Sequence, residues 1–64
     1  MIANGREIKV GAGTTLQEFL VSSGYDPRNV AVELNGRISP RNAFNDVILK
    51  NTDSLEIVSF VGGG

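Results

Sequence analysis

Residues 55–61 read LEIVSFV, and residues 62–64 read GGG. The first run is rich in β-branched and aromatic residues, which favour a strand, and glycine ends that pattern abruptly. Glycine lacks a Cβ atom, so Gly62, Gly63 and Gly64 form a thin segment that fits a channel too narrow for any side chain. We therefore predict a strand that presents a glycine tail. An inert tail is the alternative, because small residues are common at chain ends.

The composition limits the chemistry that this chain can perform. The 64 residues include no cysteine and no histidine. The sequence therefore lacks the strongest side-chain nucleophile, the usual acid-base residue at neutral pH and the commonest zinc ligands. Carboxylates such as Glu7, Glu18, Glu33 and Asp46 have no spacing typical of a catalytic pair, and we interpret them as surface residues. We expect no metal site and no catalytic residue, and thus a protein that is not itself an enzyme.

Charge and hydropathy narrow the range of partners. Six basic and seven acidic residues leave a net charge of −1, and no basic run is present that would bind nucleic acid. No apolar stretch has the length of a signal peptide or a membrane span. We expect one small cytoplasmic domain that binds neither nucleic acid nor a membrane.

The first half of the chain predicts a β-hairpin followed by a helix. Asn4-Gly5 lies between the apolar runs at residues 1–3 and 8–10, and this dipeptide favours a type I′ turn, in which both central residues have positive φ. The motif Thr15–Glu18 has the spacing of a capping box, which marks the start of a helix. Gly24 is placed to end that helix. The apolar stripe of the helix consists of Leu16, Phe19 and Leu20.

The second half predicts further strands. Residues 30–34 alternate between apolar and other types, and Asn35-Gly36 repeats the hairpin signal. Residues 37–39 would form the partner strand, which Pro40 ends or confines to a sheet edge. One helical turn is expected at residues 42–46 with Phe44 pointing inward, then a short strand at 47–49, and a polar turn at 51–54 before the last strand.

Together these elements predict an α+β fold of the β-grasp (ubiquitin-like) type. The sheet would be mixed, with four to five strands, and one main helix would pack on one face. The β-grasp domain would occupy residues 1–61 and the flexible tail residues 62–64. The helix stripe would pack against Ile8, Val32, Leu55 and Ile57.

The last strand also predicts a partner site. Because strand side chains alternate between faces, Leu55 and Ile57 facing the helix would direct Val58 and Phe60 to the opposite face, where no second layer covers them. We predict that Val58, Phe60 and the adjoining Val61 bind a partner protein.

Three parts of the sequence resemble the ThiS family, the sulfur carriers of thiamin biosynthesis. They are VAVELNGRISPR at residues 30–41, Phe44, and the final residues 55–64. The resemblance covers nearly the whole chain, and its most specific parts are the Asn-Gly hairpin followed by Pro40-Arg41 and the glycine tail. Two features depart from the family. Residues 51–53 replace the acidic turn that is common before the last strand, and Phe44 stands where a larger aromatic residue is common.

The resemblance implies that Gly64 is the modified residue. Its carboxylate would be adenylated by an ATP-dependent, E1-like (ThiF-like) adenylyltransferase and converted to a thiocarboxylate with sulfur from a donor such as a cysteine desulfurase. The sulfur would then pass to a ThiG-like thiazole synthase. Gly62 and Gly63 would thread the tail into the enzymes. ATP would be used by the activating partner, and no cofactor is expected on this chain.

Three alternatives stay open from the sequence. The small subunit of molybdopterin synthase is also a carrier that ends in Gly-Gly, although it is typically longer and often approaches its tail through a proline. A ubiquitin-like modifier would join the same activated carboxylate to lysines of other proteins. A β-grasp interaction module would bind through Val58 and Phe60 and leave the tail inert.

Overall fold

The computed structural model describes residues 1–60, which form a five-stranded mixed sheet with one α-helix. The elements, in chain order, are β1 (Ile2–Ala3), β2 (Arg6–Glu7), α1 (Leu16–Ser22), β3 (Val30–Leu34), β4 (Arg37–Ser39) and β5 (Ser54–Ser59). The strand order in the sheet is β2-β1-β5-β3-β4. Strand β5 lies at the centre, parallel to β1 and antiparallel to β3, and the two hairpins β1–β2 and β3–β4 are antiparallel. The predicted β-grasp architecture is confirmed.

Both Asn-Gly dipeptides form the predicted hairpin turns. Asn4 and Gly5 have φ angles of 51° and 81°, and Asn35 and Gly36 have φ angles of 53° and 83°. Positive φ at two successive central residues is the signature of a type I′ turn, whose twist matches that of the flanking strands. These two turns fix the register of both hairpins.

The helix begins and ends where the sequence predicts. Thr15 Oγ1 accepts a hydrogen bond from the Glu18 N–H at 3.0 Å, and Glu18 Oε1 accepts one from the Thr15 N–H at 2.9 Å, so the capping box is complete. Gly24 follows the last turn with a φ of 89°. The Tyr25 N–H donates to the Leu20 carbonyl at 2.9 Å, which closes a Schellman motif and satisfies a free helix carbonyl.

One apolar core lies between the helix and the sheet. Leu16, Phe19 and Leu20 are buried on the helix side, as predicted, and Leu55 and Ile57 are buried beneath them on β5. The core also includes Met1, Ala3, Val30, Val32, Phe44 and Leu49, while Ile8 is only partly buried at its border. The core thus joins the helix to the central strand β5 and to its neighbours β1 and β3.

The prediction of a strand at residues 47–49 is wrong. Ile48 forms only an isolated bridge with Thr15. The Leu16 N–H donates to the Val47 carbonyl at 2.9 Å, and the Leu49 N–H donates to the Thr14 carbonyl at 2.8 Å. The backbone groups of this segment therefore form hydrogen bonds with residues at the start of the helix, so they are not free to pair with a strand of the sheet.

Two other predicted elements are shifted. Strand β2 ends at Glu7, before the predicted run at residues 8–10, although the Ile8 N–H still donates to the Met1 carbonyl at 2.7 Å. Val10 lies outside the hairpin, because both of its backbone groups bind the Asn51 side chain, at 2.9 and 3.1 Å. The helical turn expected at residues 42–46 is a 3₁₀ turn over Arg41–Ala43. Phe44 follows it and is buried, as predicted.

The last four residues lie outside the described part of the chain. The predicted boundary between a domain at residues 1–61 and a tail at 62–64 therefore stays a prediction. None of the helices within residues 1–60 is long and apolar enough to cross a membrane.

Candidate functional site

Strand β5 leads towards the predicted tail and is held on both sides by its neighbours. Its residues from Leu55 to Ser59 lie opposite β3, and the Phe60 N–H continues this ladder by donating to the Asn29 carbonyl at 2.8 Å. On the other side, β1 pairs only with Ser54 and Leu55. Because β1 is so short, the backbone N–H and C=O groups of β5 beyond Leu55 need hydrogen-bond partners from another part of the chain.

Asparagine side chains from the two hairpin turns supply the additional bonds to β5. Asn4 Oδ1 accepts from the Ile57 N–H at 2.6 Å, and its Nδ2 donates to the Ile57 carbonyl at 3.1 Å. Asn35 Oδ1 accepts from the Ser54 N–H at 2.8 Å, and its Nδ2 donates to Asp53 Oδ1 at 3.0 Å. Asn35 thus fixes the start of β5, and Asn4 fixes its middle.

A compact turn binds the last residue that the structure describes, Phe60. Asn29, which binds Phe60, lies in a 3₁₀ turn capped by Asp26. The Asp26 carboxylate accepts hydrogen bonds from the Arg28 backbone N–H and from the Arg28 guanidinium, the latter at 2.9 and 3.1 Å. The guanidinium bonds lower the pKa of Asp26, with a smaller contribution from the backbone bond. Asp26 is therefore ionised at neutral pH and holds the turn in place.

The side chains of β5 alternate as predicted. Leu55 and Ile57 are buried against the helix, whereas Val58 and Phe60 are 60% and 62% exposed on the opposite side of the sheet. Their exposure is confirmed, and their role in binding stays a prediction. Val61, Gly62, Gly63 and Gly64, the other predicted site residues, lie outside the described residues.

This surface includes further residues that were not predicted from the sequence. Ile38 is 67% exposed and lies opposite Glu33, which lies opposite Glu56. A two-residue Asn-Gly turn fixes which residues face each other, so Ile38 could have been placed by counting outward from Asn35-Gly36. We call this uncovered side of the sheet the open face. Its residues are Ile2, Glu7, Ala31, Glu33, Ile38, Ser54, Glu56, Val58 and Phe60.

The described residues provide a surface rather than an enclosed site. Within residues 1–60 there is no ligand-sized cavity and no group of three potential metal ligands. The carboxylates considered from the sequence serve separate purposes or stand apart: Glu18 caps the helix, and Glu33 is exposed on the open face. Such an arrangement can bind another protein and present an adjoining segment to it.

Comparison with known proteins gives matches along nearly the whole chain. Residues 2–64 match the ThiS family. The sulfur carrier protein ThiS of Bacillus subtilis is 39% identical over 62 residues, which cover 95% of this chain and 94% of that protein. A thiazole synthase of Magnetococcus marinus is 41% identical over 61 residues, covering 95% of this chain but 19% of the relative. This chain therefore spans about a fifth of that relative's length.

The fold comparison agrees with the sequence matches. The crystal structure of the thiamine biosynthesis protein ThiS from Geobacter metallireducens superposes with a TM-score of 0.78 at 35% sequence identity. The superposition covers 98% of this chain and 96% of the Geobacter chain. The similarity therefore includes the helix, the complete sheet and the order of the elements.

Proposed function

The chain belongs to the ThiS family, and on that basis we propose that it is a sulfur carrier of thiamin biosynthesis. The observation that carries this proposal is the extent of the family match, which spans residues 2–64 and so includes all three glycines of the tail. The similarity to the Bacillus carrier also covers nearly the full length of both proteins. These matches favour a thiamin carrier over the molybdopterin and modifier alternatives.

In the proposed mechanism, the reacting group is the α-carboxylate of a chain that ends at Gly64. This group is ionised at neutral pH, since its reference pKa is about 3.3–3.7, and it is a poor electrophile. Attack of a carboxylate oxygen on the α-phosphorus of ATP releases pyrophosphate and leaves a mixed anhydride with AMP as a good leaving group. The terminal sulfur of the donor's cysteine persulfide then attacks the carbonyl carbon and expels AMP, which leaves an acyl disulfide between the chain and the donor. A thiol reductant attacks the donor's cysteine sulfur, so that the S–S bond breaks, the donor leaves as a mixed disulfide and the chain is released as the thiocarboxylate. Because the chain has no cysteine, it has no thiol on which to carry sulfur as a persulfide.

The chemistry of each step belongs to the partner enzymes. An E1-like, ThiF-like adenylyltransferase would bind ATP and the tail, a cysteine desulfurase would supply sulfur, and a ThiG-like thiazole synthase would receive it. In this account the chain is a protein co-substrate without a cofactor, and it acts in the cytoplasm. The thiazole synthase from Magnetococcus supports the choice of acceptor, since a fifth of that protein is similar to this chain.

The geometry of β5 supports a carrier role. The strand is anchored by β3, by Asn4 and by Asn35, so the last described residues hold a defined position relative to the open face. Val58 and Phe60, with Val61 beyond them, would contact the enzyme. Gly62 and Gly63 would then pass through a narrow channel to bring Gly64 to the nucleotide.

The test is the intact mass of the chain ending at Gly64 after incubation with ATP, a ThiF-like enzyme, a cysteine desulfurase, cysteine and a thiol reductant. We expect the mass increase that corresponds to replacement of one oxygen by sulfur, and only when ATP is present. Deletion of Gly64 provides the control, because the remaining terminus would be one residue too short to reach the nucleotide. A much larger mass, equal to a conjugate with another protein, would instead identify a modifier.

An unchanged mass under all conditions would contradict the proposal and leave the interaction module as the remaining reading. In that case the variant lacking Gly64 should bind its partners as well as the complete chain does. A carrier without Gly64 would bind and fail to react, so binding and mass measured together separate these readings.

A further inference from the structure

The asparagine side chains of the two hairpin turns are held in the same way. Each Oδ1 accepts a hydrogen bond from a backbone N–H of β5, that of Ile57 for Asn4 at 2.6 Å and that of Ser54 for Asn35 at 2.8 Å. Each Nδ2 donates to an oxygen that can only accept, the Ile57 carbonyl at 3.1 Å for Asn4 and Asp53 Oδ1 at 3.0 Å for Asn35. Both side-chain amides are therefore bound at both ends.

The residue that follows each asparagine makes these two amides reactive. Gly5 and Gly36 have no side chain to shield the backbone nitrogen, and a Cβ atom placed on either glycine would meet no other atom within 4 Å. The other four asparagines, at positions 29, 42, 45 and 51, precede residues that carry a side chain. Attack of a backbone nitrogen on the asparagine Cγ is therefore least hindered at the two turns.

The reaction at such a site is deamidation by water. The glycine nitrogen loses its proton to solvent and bonds to the asparagine Cγ, which closes a succinimide ring, and the Cγ–Nδ2 bond breaks to release ammonia. Water then opens the ring. Cleavage at the former side-chain carbonyl gives aspartate, and cleavage at the backbone carbonyl gives isoaspartate. One water is consumed and one ammonia is released in total.

The hydrogen bonds of each asparagine oppose this reaction. Ring closure makes Cγ tetrahedral and removes Nδ2, so the planar amide cannot keep the bonds at its two ends. Two hydrogen bonds should therefore slow the reaction about tenfold or more. The bonds of Asn35 are exposed, whereas those of Asn4 are partly buried, and Asn4 Nδ2 has a further contact of 3.4 Å with the Tyr25 hydroxyl. Asn35 is thus the less protected of the two.

We propose that Asn35-Gly36 and Asn4-Gly5 are sites of spontaneous deamidation, that each is protected by its own hydrogen bonds to β5 and the residue before it, and that Asn35 is modified first. This inference goes beyond the carrier function, because it concerns the lifetime of the fold that holds the central strand.

Modification at either position replaces a donor with an acceptor where the partner is also an acceptor. An aspartate at position 35 would bring a second carboxylate against Asp53, and like charges at this distance repel. An aspartate at position 4 would turn a carboxylate oxygen towards the Ile57 carbonyl. Isoaspartate adds a methylene group to the main chain of a two-residue loop, whose length sets the register of its hairpin. Each product should weaken the anchoring of β5.

The test follows the folded chain in mildly alkaline buffer made with oxygen-18 water, which labels the new carboxyl group. Trypsin places Asn4 in the peptide of residues 1–6 and Asn35 in that of residues 29–37, and mass spectrometry measures both sites. We expect position 35 to react first, position 4 next and the other four asparagines last. In urea both sites should react about tenfold or more faster.

A substitution at Asp53 tests the local protection. Asp53→Ala removes the acceptor of Asn35 Nδ2 and leaves the bonds of Asn4 in place. Deamidation should become several-fold faster at position 35 and stay unchanged at position 4 of the same molecule. Asp46→Ala is the matched control, because it removes an exposed carboxylate elsewhere and should change neither rate.

The aspartate product can be made directly as Asn35→Asp. Its thermal unfolding midpoint should fall, whereas Asn42→Asp should not change the midpoint, since Asn42 is exposed and its side chain forms no hydrogen bond within residues 1–60. Equal midpoints for the two variants would contradict the predicted weakening.

Three results would overturn the proposed sites. Equal rates in folded protein and in urea would show that the hydrogen bonds protect nothing. Equal acceleration of both sites by Asp53→Ala would mean that unfolding of the whole chain controls the reaction. A folded chain that stays unmodified at both positions after the chain in urea has reacted completely would exclude the sites from the folded protein. No partner enzyme is needed, so these outcomes are independent of sulfur transfer.

Discussion

Asn4 binds Ile57 with both ends of its side-chain amide, accepting from the Ile57 N–H at 2.6 Å and donating to the Ile57 carbonyl at 3.1 Å. The bond spans 53 residues of sequence and joins the first hairpin turn to the strand that leads to the tail. The amide takes the place of a strand residue where β1 has ended. Asn4 therefore adopts the positive φ that the turn requires, and its side chain also supplies the hydrogen bonds that β1 is too short to give to β5.

Replacing Asn4 with glycine should destabilise the protein. Glycine keeps the positive φ of the turn without strain, so the expected loss comes from the two hydrogen bonds to Ile57 and is about 1–3 kcal/mol. Urea denaturation measures this loss. Asn4→Asp is the matched variant: it retains an acceptor for the Ile57 N–H and should lose less. An Asn4→Gly protein that unfolds at the wild-type midpoint would show that the hydrogen bonds between Asn4 and Ile57 contribute nothing to stability.

Leu55 on β5 and Phe60, which follows β5, should respond to truncation in opposite ways. Leu55 is fully buried, so Leu55→Ala should leave a cavity that costs about 2–5 kcal/mol of unfolding free energy. Phe60 is mostly exposed, so Phe60→Ala should change stability little and weaken binding to the activating enzyme. Denaturation and binding titrations on both variants check this. A large loss of stability with normal binding to the activating enzyme for Phe60→Ala would contradict the assignment of Phe60 to the open face.

Asp53 should make stability sensitive to acid. Its pKa is lowered chiefly by the hydrogen bond from the Asn35 side chain, with a further bond from the Lys50 backbone N–H, and burial partly opposes the shift. A carboxyl group whose pKa is lowered on folding stabilises the fold at pH values above its unfolded pKa, about 3.9. That contribution disappears as the pH falls through the folded pKa.

Unfolding measured from pH 6 down to pH 2 tests this linkage. Asp53→Asn should be less stable than the wild type near neutral pH, and the difference should shrink below about pH 4 as the wild-type carboxyl is protonated. Asp46→Asn controls for the loss of one negative charge. A difference between Asp53→Asn and the wild type that stays constant across the range would contradict the role given to Asp53.

Local signals were sufficient to predict most of the fold. The two Asn-Gly turns, the Thr15–Glu18 capping box and the alternation of β5 depend on neighbours close in sequence, and all appear in the structure. Residues 47–49 were predicted wrongly because an apolar run of three residues fits either a strand or a loop that packs on the core. Its hydrogen-bond partners, Thr14 and Leu16, lie more than thirty residues away in the sequence and decide the outcome.

The candidate site was predicted only in part for the same reason. The alternation of side chains along a strand was sufficient to predict that Val58 and Phe60 lie on the open face. The pairing of Glu33 with Glu56 depends on which strands are neighbours, and the position of β5 between β1 and β3 is a property of the whole sheet. The hydrogen bonds between Asn4 and Ile57 likewise join residues near the two ends of the chain, and no local sequence pattern indicates them.

The tail should tolerate no bulk next to the reacting carboxylate. Gly63→Val should leave the circular dichroism spectrum unchanged and sharply reduce adenylation, because a β-branched side chain restricts the backbone and widens the tail. A misplacement of about 1 Å can lower a rate by about 100-fold. Pyrophosphate release in the presence of the ThiF-like enzyme measures the effect. Formation of the acyl-adenylate at the wild-type rate by a folded Gly63→Val protein would mean that the tail does not thread a narrow channel.

The central claim is that sulfur travels on Gly64, and a single-turnover transfer with isotopically labelled sulfur tests it most directly. The labelled thiocarboxylate form of the chain is mixed with a ThiG-like thiazole synthase and its other substrates, and the label is followed by mass spectrometry in both the protein and the thiazole. We predict that the chain returns to its carboxylate mass at the rate at which labelled thiazole appears. Labelled sulfur that stays on the chain while unlabelled thiazole forms would contradict the account.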